Sequence, residues 1–385
     1  MPRVEVKKFT SHPSKVLKTT CPKMSLWVDK YRPKKLEQLS FHHSTTEHLR
    51  ALASTGDFPH LLVYGPTGAG KKTRIYSTLN ELFGAQTEKL KIDVKTFTTT
   101  SNRKLEFNVL SSPYHMEITP SDMGNNDRVV IQDLLKEVAS TEQVDFSNQG
   151  KNGPKHRFKV VIINEADSLS RDAQAALRRT MEKYSSNIRI IMVCNMISSI
   201  ISPIKSRTFL VRVAAPSTKD IADILGNIAK KELVKFTSDD EVAKQKYLEA
   251  VAASSGRNLR RALLSFETLA MQQDVLDVNN LEATAVALDW ESIIINMARS
   301  VMQNKTVANL GKLRMTFYEL LSHCIPARLI LKELAMHIMR ALGNDTKRVV
   351  AVIELAAVFD ERLSLGLKAI FHLEGFVAKT MVALS

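Results

Sequence analysis

Cysteine and long apolar runs are both scarce in this chain. Its three cysteines, Cys21, Cys194 and Cys324, are far apart and show no metal-ligand spacing. This pattern argues against a disulfide scaffold or a structural zinc site, and it indicates reduced intracellular thiols. No apolar run is long enough to cross a bilayer, and no secretory signal opens the chain. The composition therefore predicts a soluble globular protein with no metal cluster and no membrane partner.

Positive charge is in excess. Lys and Arg number 54 against 40 Asp and Glu, which gives a formal net charge of +14. Such an excess predicts a polyanionic partner, although a basic surface without that role is the alternative. Residues 1–23 carry six basic residues and one acid, with few large apolar side chains. We expect this leader to be disordered: a nucleic-acid arm, a transit peptide or, as we favour, a dispensable extension before Met24.

A glycine-rich segment carries the densest functional signal. It consists of Gly65, Pro66, Thr67, Gly68, Ala69, Gly70, Lys71, Lys72 and Thr73. The segment follows an apolar run, residues 60–64, and opens a helical pattern over 72–83. This strand, loop and helix match the pattern G-x-x-x-x-G-K-[ST] as far as Lys71. The backbone N–H groups are therefore predicted to line a phosphate, with Lys71 reaching the terminal phosphates of ATP or ADP.

Two positions that normally support magnesium depart from the pattern. Lys72 replaces the metal-binding hydroxyl, and Thr73 comes one residue too late. A buried-strand run over 158–163 leads to Asn164, where an Asp should hold magnesium; Glu165, which would polarise the attacking water, remains. Two losses at one metal predict a site that binds nucleotide, holds magnesium weakly or not at all, and turns over poorly.

The periodicity of the chain indicates an α/β domain followed by helices. Alternating residues predict a hairpin over 91–97 and 105–110, and further strands over 114–118, 158–163 and 188–193. Apolar residues at helical spacing predict helices from about 127 and over 172–184. We predict a parallel sheet flanked by helices in residues 24–214, a small helical domain in 215–284 and an all-α domain in 285–385.

Several ordered motifs resemble one known family. W-V-D-K-Y-R-P at 27–33, A-L-R-R-T-M-E at 176–182, S-R-T at 206–208 and G-R-N-L-R-R-A-L-L at 256–264 are similar to motifs of the replication factor C small subunits. These are eukaryotic clamp loaders of the AAA+ superfamily. The resemblance covers residues 24–385 and includes the degenerate hydrolysis motifs of one small subunit. It implies an AAA+ domain, a helical lid and a helical collar that joins subunits into a ring.

The resemblance also implies roles for single residues. Val28, Tyr31 and Arg32 would lie at the adenine, Asn195 would be sensor one, and Arg260 would contact phosphate from the lid. Arg207 would act as an arginine finger in a neighbouring subunit's site. From the residues alone, an aromatic beside Arg-Pro is more often packing, and a lone Arg before a strand is more often a surface charge.

The partners implied by the resemblance are other replication factor C subunits, alternative loader large subunits, the PCNA clamp and primer–template DNA, in the nucleus. Arg128, Arg178 and Arg179 would face DNA, and Val144 and Phe146 would touch the clamp. An independent AAA+ ATPase and a repair or checkpoint adaptor are the alternatives. The first should keep a hydroxyl at 72 and an acid at 164, and the second needs no nucleotide site. A bacterial or archaeal loader subunit would share the fold without these deviations.

Overall fold

The computed structural model describes residues 25–98, 104–140, 158–238, 240–278, 280, 288–366 and 368–384. The chain divides into two compact units, with the boundary between residues 285 and 286. The predicted leader, residues 1–23, lies outside the described residues, and so do Val144 and Phe146.

The first unit contains a sheet, its covering helices and a helical segment. The seven strands of the sheet are β1 (Leu61–Tyr64), β2 (Lys91–Thr98), β3 (Lys104–Ser111), β4 (His115–Ile118), β5 (Lys159–Ile163), β6 (Ile188–Cys194) and β7 (Phe209–Arg212). The helices up to β7 are α1 (Trp27–Lys30), α2 (His43–Ser54), α3 (Lys71–Phe83), α4 (Asp127–Ser140), α5 (Arg171–Lys183) and α6 (Ser202–Lys205). The predicted strands and helices of this region are thus confirmed, with bounds shifted by one or two residues.

The sheet is parallel except at one side. Its strand order is β2-β3-β4-β5-β6-β1-β7, in which β4, β5, β6, β1 and β7 run parallel. The β2–β3 hairpin is antiparallel, as predicted, and β3 is antiparallel to β4. The carboxyl ends of the parallel strands therefore share one edge, where ligands bind in open α/β sheets. The glycine-rich loop follows β1 at that edge, between the ends of β6 and β7.

Apolar residues cover both faces of the sheet. Successive residues of β5 alternate between two cores: Val161 and Ile163 pack in one, and Val160 and Ile162 in the other. This alternation explains why β5 reads as a continuous apolar run, since a strand buried on both faces has no polar side. Polar residues come only beyond its carboxyl end, where Asn164 is buried and Glu165 is exposed.

A helical segment completes the first unit. It comprises α7 (Thr218–Lys231), α8 (Glu241–Ser254) and α9 (Leu259–Gln272), with a short parallel pair β8 (Lys235–Phe236) and β9 (Val275–Leu276). Ser217 and Asp220 form a capping box at the start of α7, directly after Pro216. This cap satisfies backbone donors that the first turn leaves free. Asn258 caps α9 by accepting from the backbone N–H of Arg261 at 3.2 Å.

The second unit is a helical bundle, as predicted. Its helices are α10 (Asp289–Gln303), α11 (Val307–Ser322), α12 (Ala327–Leu342), α13 (Thr346–Leu365) and α14 (Ala369–Ala383). Phe317, Phe359 and Phe376 lie in its buried core, and the last two rings meet edge to face at 6.1 Å. Among the described residues, no helix has the length and apolar character needed to cross a membrane.

Candidate nucleotide-binding site

The glycine-rich loop has backbone angles that other residues avoid. Gly65, Gly68 and Gly70 have φ of +150°, +72° and +83°. At Gly65 a Cβ atom would stand 1.9 Å from the carbonyl oxygen of Val213, which follows β7. The neighbouring backbone therefore excludes a side chain there. A loop of this kind before a helix N-terminus can cradle an anion with backbone N–H groups.

Lys71, the first residue of α3, is held inside this loop. Its Nζ donates to the carbonyl oxygens of Gly65 at 2.6 Å and Pro66 at 2.8 Å, and to Asn195 Oδ1 at 2.9 Å. Burial lowers the pKa of the Lys71 ammonium, and the nearby Cys194 and Asp167 offset part of that effect. The structure therefore brings Lys71 and Asn195 together from the ends of β1 and β6.

Asp167 supports this contact, and sequence reasoning gave it no role. Its Oδ2 accepts from the backbone N–H groups of Asn195 at 3.1 Å and Met196 at 3.4 Å. These bonds fix the turn after β6 and so hold the Asn195 amide in reach of Lys71. The signal was present in the acidic run after β5, where a second carboxylate follows Glu165 by two residues.

The two positions that depart from the phosphate-loop pattern meet at one buried carboxylate, Glu117 of β4. Lys72 Nζ donates to Glu117 Oε1 at 2.7 Å, and Asn164 Nδ2 donates to the same oxygen at 2.6 Å. The Tyr76 hydroxyl donates to Glu117 Oε2. Lys72 and Tyr76 are one helical turn apart on α3 and so point at the same strand. We call these four residues the Glu117 cluster.

Three donors make Glu117 a stable carboxylate despite its burial. Only 4% of the residue is exposed. Burial by itself raises the pKa of the Glu117 carboxyl, but hydrogen bonds from Lys72, Tyr76 and Asn164 outweigh it, so the pKa lies below the ordinary 4.5. Burial and the Glu117 charge raise the pKa of Tyr76, so its proton stays on the phenol.

Few oxygen ligands lie where the usual phosphate-loop pattern would place magnesium. Because the Asn164 amide nitrogen faces the Glu117 carboxylate, its buried Oδ1 points elsewhere and has no hydrogen-bond partner in the described part of the chain. Glu165, at φ +49°, accepts from the Ser121 hydroxyl at 3.1 Å. Over the described ranges, no group of three His, Cys, Asp or Glu side chains could hold a metal ion. An ammonium and an amide thus replace the two usual oxygen donors.

The segment around α1 joins the phosphate-loop helix to the helical segment. The Tyr31 hydroxyl donates to Glu232, after α7, at 2.5 Å. Arg32 Nε donates to Thr73 Oγ1 at 3.3 Å, and its guanidinium lies over the Tyr76 ring at 5.0 Å. Val28 is half-buried in the same segment. Of the three residues assigned to the adenine, Tyr31 therefore contacts the end of α7 and Arg32 contacts α3.

Asn258 is a second residue that sequence reasoning missed. A Cβ atom at Gly68 would be 1.7 Å from Asn258 Oδ1, so this side chain lies directly on the phosphate loop. Arg257 fixes the same turn by donating to the carbonyl oxygens of Ala215 at 3.1 Å and Pro216 at 3.0 Å. Arg260 is exposed in the first turn of α9. Asn258 fits the N-cap pattern, which could have drawn attention to it.

Arg207 is presented at the surface after α6. Its guanidinium donates to the Pro203 carbonyl oxygen at 2.9 Å and pairs with Glu182 at 2.6 Å. Thr208 donates to the Ile204 carbonyl oxygen at 3.0 Å, so its hydroxyl caps the end of α6. Arg207 thus contacts its own short helix and α5, while Lys71 and Asn195 contact the phosphate loop.

The three arginines assigned to DNA differ in exposure. Arg128, in the first turn of α4, and Arg179 of α5 are exposed, whereas Arg178 is half-buried. Within the described residues, the buried Nε of Arg178 has no hydrogen-bond partner. Asp127 ties the start of α4 to α5 by accepting from the backbone N–H and hydroxyl of Ser170. Arg128 therefore lies near the start of α5, and the other two lie further along that helix.

A parallel sheet with a phosphate loop, a helical lid segment and a separate helical bundle define an AAA+ nucleotide-binding subunit. Family models match three parts of the chain: "DNA polymerase III, delta subunit" at residues 41–217, "RCF1/5-like, AAA+ ATPase lid domain" at 223–271, and "Replication factor C subunit 3, C-terminal domain" at 290–385. The chain belongs to the replication factor C family, among the small subunits of the clamp loader.

Relatives along nearly the whole chain support that membership. Replication factor C subunit 5 of Saccharomyces cerevisiae is 52% identical over 362 residues, which is 94% of this chain and 100% of the relative. Subunit 5 of Schizosaccharomyces pombe is 47% identical over 357 residues, covering 92% and 96%. Subunit 3 of Homo sapiens is 46% identical over 358 residues, covering 93% and 96%. The resemblance stated from the sequence motifs is therefore confirmed.

Proposed function

We propose that this chain is a nucleotide-holding, arginine-donating subunit of a heteropentameric clamp loader. It binds ATP or ADP, hydrolyses it poorly, and presents Arg207 to the nucleotide of a neighbouring subunit. With other replication factor C subunits, or with alternative large subunits, it opens the PCNA ring and loads it on primer–template DNA during replication and repair in the nucleus.

The phosphate loop supports nucleotide binding. Gly65, Gly68 and Gly70 hold the backbone in an anion-binding form, and Lys71 has its ammonium fixed by three acceptors within the site. The positions of Tyr31 and Arg32 against α3 and α7 support an adenine pocket between the sheet domain and the lid. Asn258 and Arg260 then close the phosphate side from α9.

The same site supports slow hydrolysis. Magnesium bridges phosphate oxygens and neutralises developing charge in phosphoryl transfer, and it prefers oxygen ligands. Lys72 supplies an ammonium, and Asn164 directs its amide nitrogen at Glu117. This donor set does not fit a magnesium ion, so we expect little or no hydrolysis within this chain. An independent ATPase is therefore the less fitting function.

Arg207 carries the proposal. Its guanidinium is exposed, and its anchors are the Pro203 carbonyl oxygen and Glu182 rather than groups of the phosphate loop. An arginine held this way at a surface can enter a site on another subunit, where it stabilises charge on the terminal phosphate. The exposed bond to Glu182 is weak enough to exchange for that contact.

Charge supports the DNA assignment. The net charge of +14 suits a phosphate backbone, and Arg128 and Arg179 are exposed near and along α5. Such contacts would bind phosphates rather than read bases. For the clamp contact, Val144 and Phe146 remain a proposal from the resemblance alone.

The test is ATP hydrolysis by the assembled complex. We would assemble the full chain with its partner subunits and measure DNA- and clamp-stimulated hydrolysis for wild type and Arg207→Ala. Loss of one arginine finger should lower the stimulated rate by about tenfold or more while assembly is unchanged. An unchanged rate would show that Arg207 does not act in a neighbouring site.

Arg212→Ala is the matched control. Arg212 is an exposed arginine on β7, five residues beyond Arg207. Its loss removes the same charge from the same surface region, so a general electrostatic effect would appear in both variants. Only Arg207→Ala should lower the stimulated rate if the finger assignment is right.

A further inference from the structure

We propose that the Lys72 ammonium, positioned by Glu117 and Asn164, is a built-in substitute for the magnesium ion of the nucleotide. This inference rests on the proposed nucleotide binding and concerns whether that binding needs a metal. ATP or ADP should bind equally well with or without magnesium. The Glu117 cluster carries it, since both departures from the phosphate-loop pattern converge there.

The convergence is geometric. Lys72 comes from the start of α3 and Asn164 follows β5, yet their nitrogens donate to one oxygen, Glu117 Oε1, at 2.7 and 2.6 Å. Glu117 lies on β4, which pairs with β5 in parallel register. The two departures from the phosphate-loop pattern are 92 positions apart in the sequence, yet both contact the same carboxylate oxygen.

The two changes also conserve charge. In the usual arrangement a neutral hydroxyl, a carboxylate and a divalent cation together carry one net positive charge. Here the Lys72 ammonium and the neutral Asn164 amide together carry one net positive charge as well. Neither sum includes the Glu117 carboxylate. The phosphates would thus meet the same net charge, supplied by a covalently attached cation instead of an exchangeable one.

Lys72 has the exposure and donors that this role needs. Its side chain is 41% exposed, whereas that of Glu117 is 4% exposed, so the pair bridges from the interior to the open edge of the sheet. An ammonium has three N–H donors. In the described part of the chain one of them is bonded to Glu117, which leaves donors for phosphate oxygens. An ion pair with a purely structural role would not need an exposed ammonium with N–H donors left over.

The experiment measures binding of a fluorescent ADP analogue to the full chain, in magnesium and in excess EDTA. We compare wild type with Lys72→Thr, Asn164→Asp and the double variant, which restores the usual hydroxyl and acid. For wild type, the two dissociation constants should agree within about twofold. The double variant should bind at least about tenfold more tightly in magnesium than in EDTA, because its oxygens can hold the ion.

The single variants sharpen the test. Lys72→Thr removes the cation without adding an acid, so binding should weaken about tenfold in both buffers. Asn164→Asp places a second carboxylate beside Glu117 and cancels the Lys72 charge, so binding should weaken similarly. The effects should therefore be strongly non-additive in magnesium, where the double variant recovers affinity. Lys89→Thr, at an exposed lysine beyond α3, is the control and should match wild type.

The outcomes separate this inference from the proposed function. Lys71→Ala should abolish nucleotide binding. If wild type binds no nucleotide in magnesium and none in EDTA, both the proposed function and the inference are overturned. Wild-type binding that requires magnesium would overturn the inference alone. Metal-indifferent binding by both wild type and the double variant would also overturn it, because Lys72 and Asn164 would then not set the metal dependence.

Discussion

The two halves of the nucleotide site differ in how they are encoded. The phosphate half, residues 65–71 with Asn195, keeps the expected pattern, and its shape is set by glycine backbone angles and main-chain carbonyl oxygens. The half where magnesium would be expected, which we call the metal half, is the Glu117 cluster; it is formed by side chains and contains both departures from the pattern. Side chains can be exchanged one at a time, whereas a backbone cradle cannot change without moving its neighbours.

This difference explains how nucleotide binding and hydrolysis can separate in one site. Phosphate binding needs N–H groups and one fixed lysine, which the loop retains. Hydrolysis needs a metal and an activated water, which side chains hold in place. In the function proposed above, the subunit would keep a nucleotide as a structural element and would contribute to catalysis through Arg207.

The largest expected effect tests the backbone encoding of the phosphate half. In Gly65→Ala the new Cβ would meet the Val213 carbonyl oxygen at 1.9 Å, at a φ of +150°. We expect a loss of about 3 kcal/mol or more in the free energy of unfolding, together with loss of nucleotide binding. Urea denaturation of the full chain measures the first and titration with ADP the second.

Gly256→Ala is the matched control for that variant. Gly256 also has a positive φ, +64°, but a Cβ there meets nothing within 4 Å. Its cost should be limited to backbone strain, about 1 kcal/mol. Equal destabilisation by the two variants would contradict the close approach of Val213 and weaken the contrast between the halves.

An intermediate effect is expected at the centre of the metal half. Glu117→Gln keeps the shape but removes the charge that holds Lys72. Because Lys72 is partly exposed, we expect a loss of about 1–3 kcal/mol in the free energy of unfolding at neutral pH, less than for a fully buried pair. Urea denaturation at several pH values is the measurement.

The pH dependence of this stability loss distinguishes the contribution of the Glu117 charge from that of its shape. The folded pKa of Glu117 lies below 4.5, so its contribution is fully present above pH 4.5 and is lost as pH falls through the folded pKa. The gap between wild type and Glu117→Gln should therefore close in acid. A gap that stays constant below that range would mean that shape, and not charge, is what Glu117 contributes.

The smallest effect is expected for Tyr76→Phe. This change removes one donor to Glu117 but leaves Lys72 and Asn164 in place, and the ring can still lie under Arg32. We expect a loss of about 1 kcal/mol in the free energy of unfolding. The acid-induced loss of stability should still begin near pH 4.5 but should be smaller and complete at a higher pH, because the folded pKa of Glu117 would rise toward its unfolded value. A change as large as that of Glu117→Gln would show that Tyr76, rather than Lys72, is the main partner.

Local patterns predicted much of the fold. The hairpin formed by β2 and β3, the buried strands β5 and β6, and the helices of the bundle follow from periodicity and length, and the structure confirms them. Their signals are local because each element buries a face that its own sequence marks. The phosphate loop was predictable for the same reason, since its glycines and lysine are consecutive.

The parts of the site that were missed come from distant segments. Glu117 looked like an ordinary strand residue, and its role depends on β4 lying beside β5 and on Lys72 and Tyr76 of α3 reaching it. Asn258 reads as a helix cap, and only the packing of α9 places its side chain on Gly68. Asp167 supports Asn195 across 28 residues of sequence. No local sequence pattern predicts these contacts between distant residues.

The sequence by itself determined the phosphate loop, the two departures from its usual pattern, the order of elements and the family. These features depend on residue identity at short spacing, which is readable without coordinates. Only the tertiary structure decided that Lys72 and Asn164 share one carboxylate and that Arg207 is held at the surface by Glu182. The physical reason is that hydrogen bonds and ion pairs act over a few ångströms, and only the folded chain brings residues so far apart in sequence within that range.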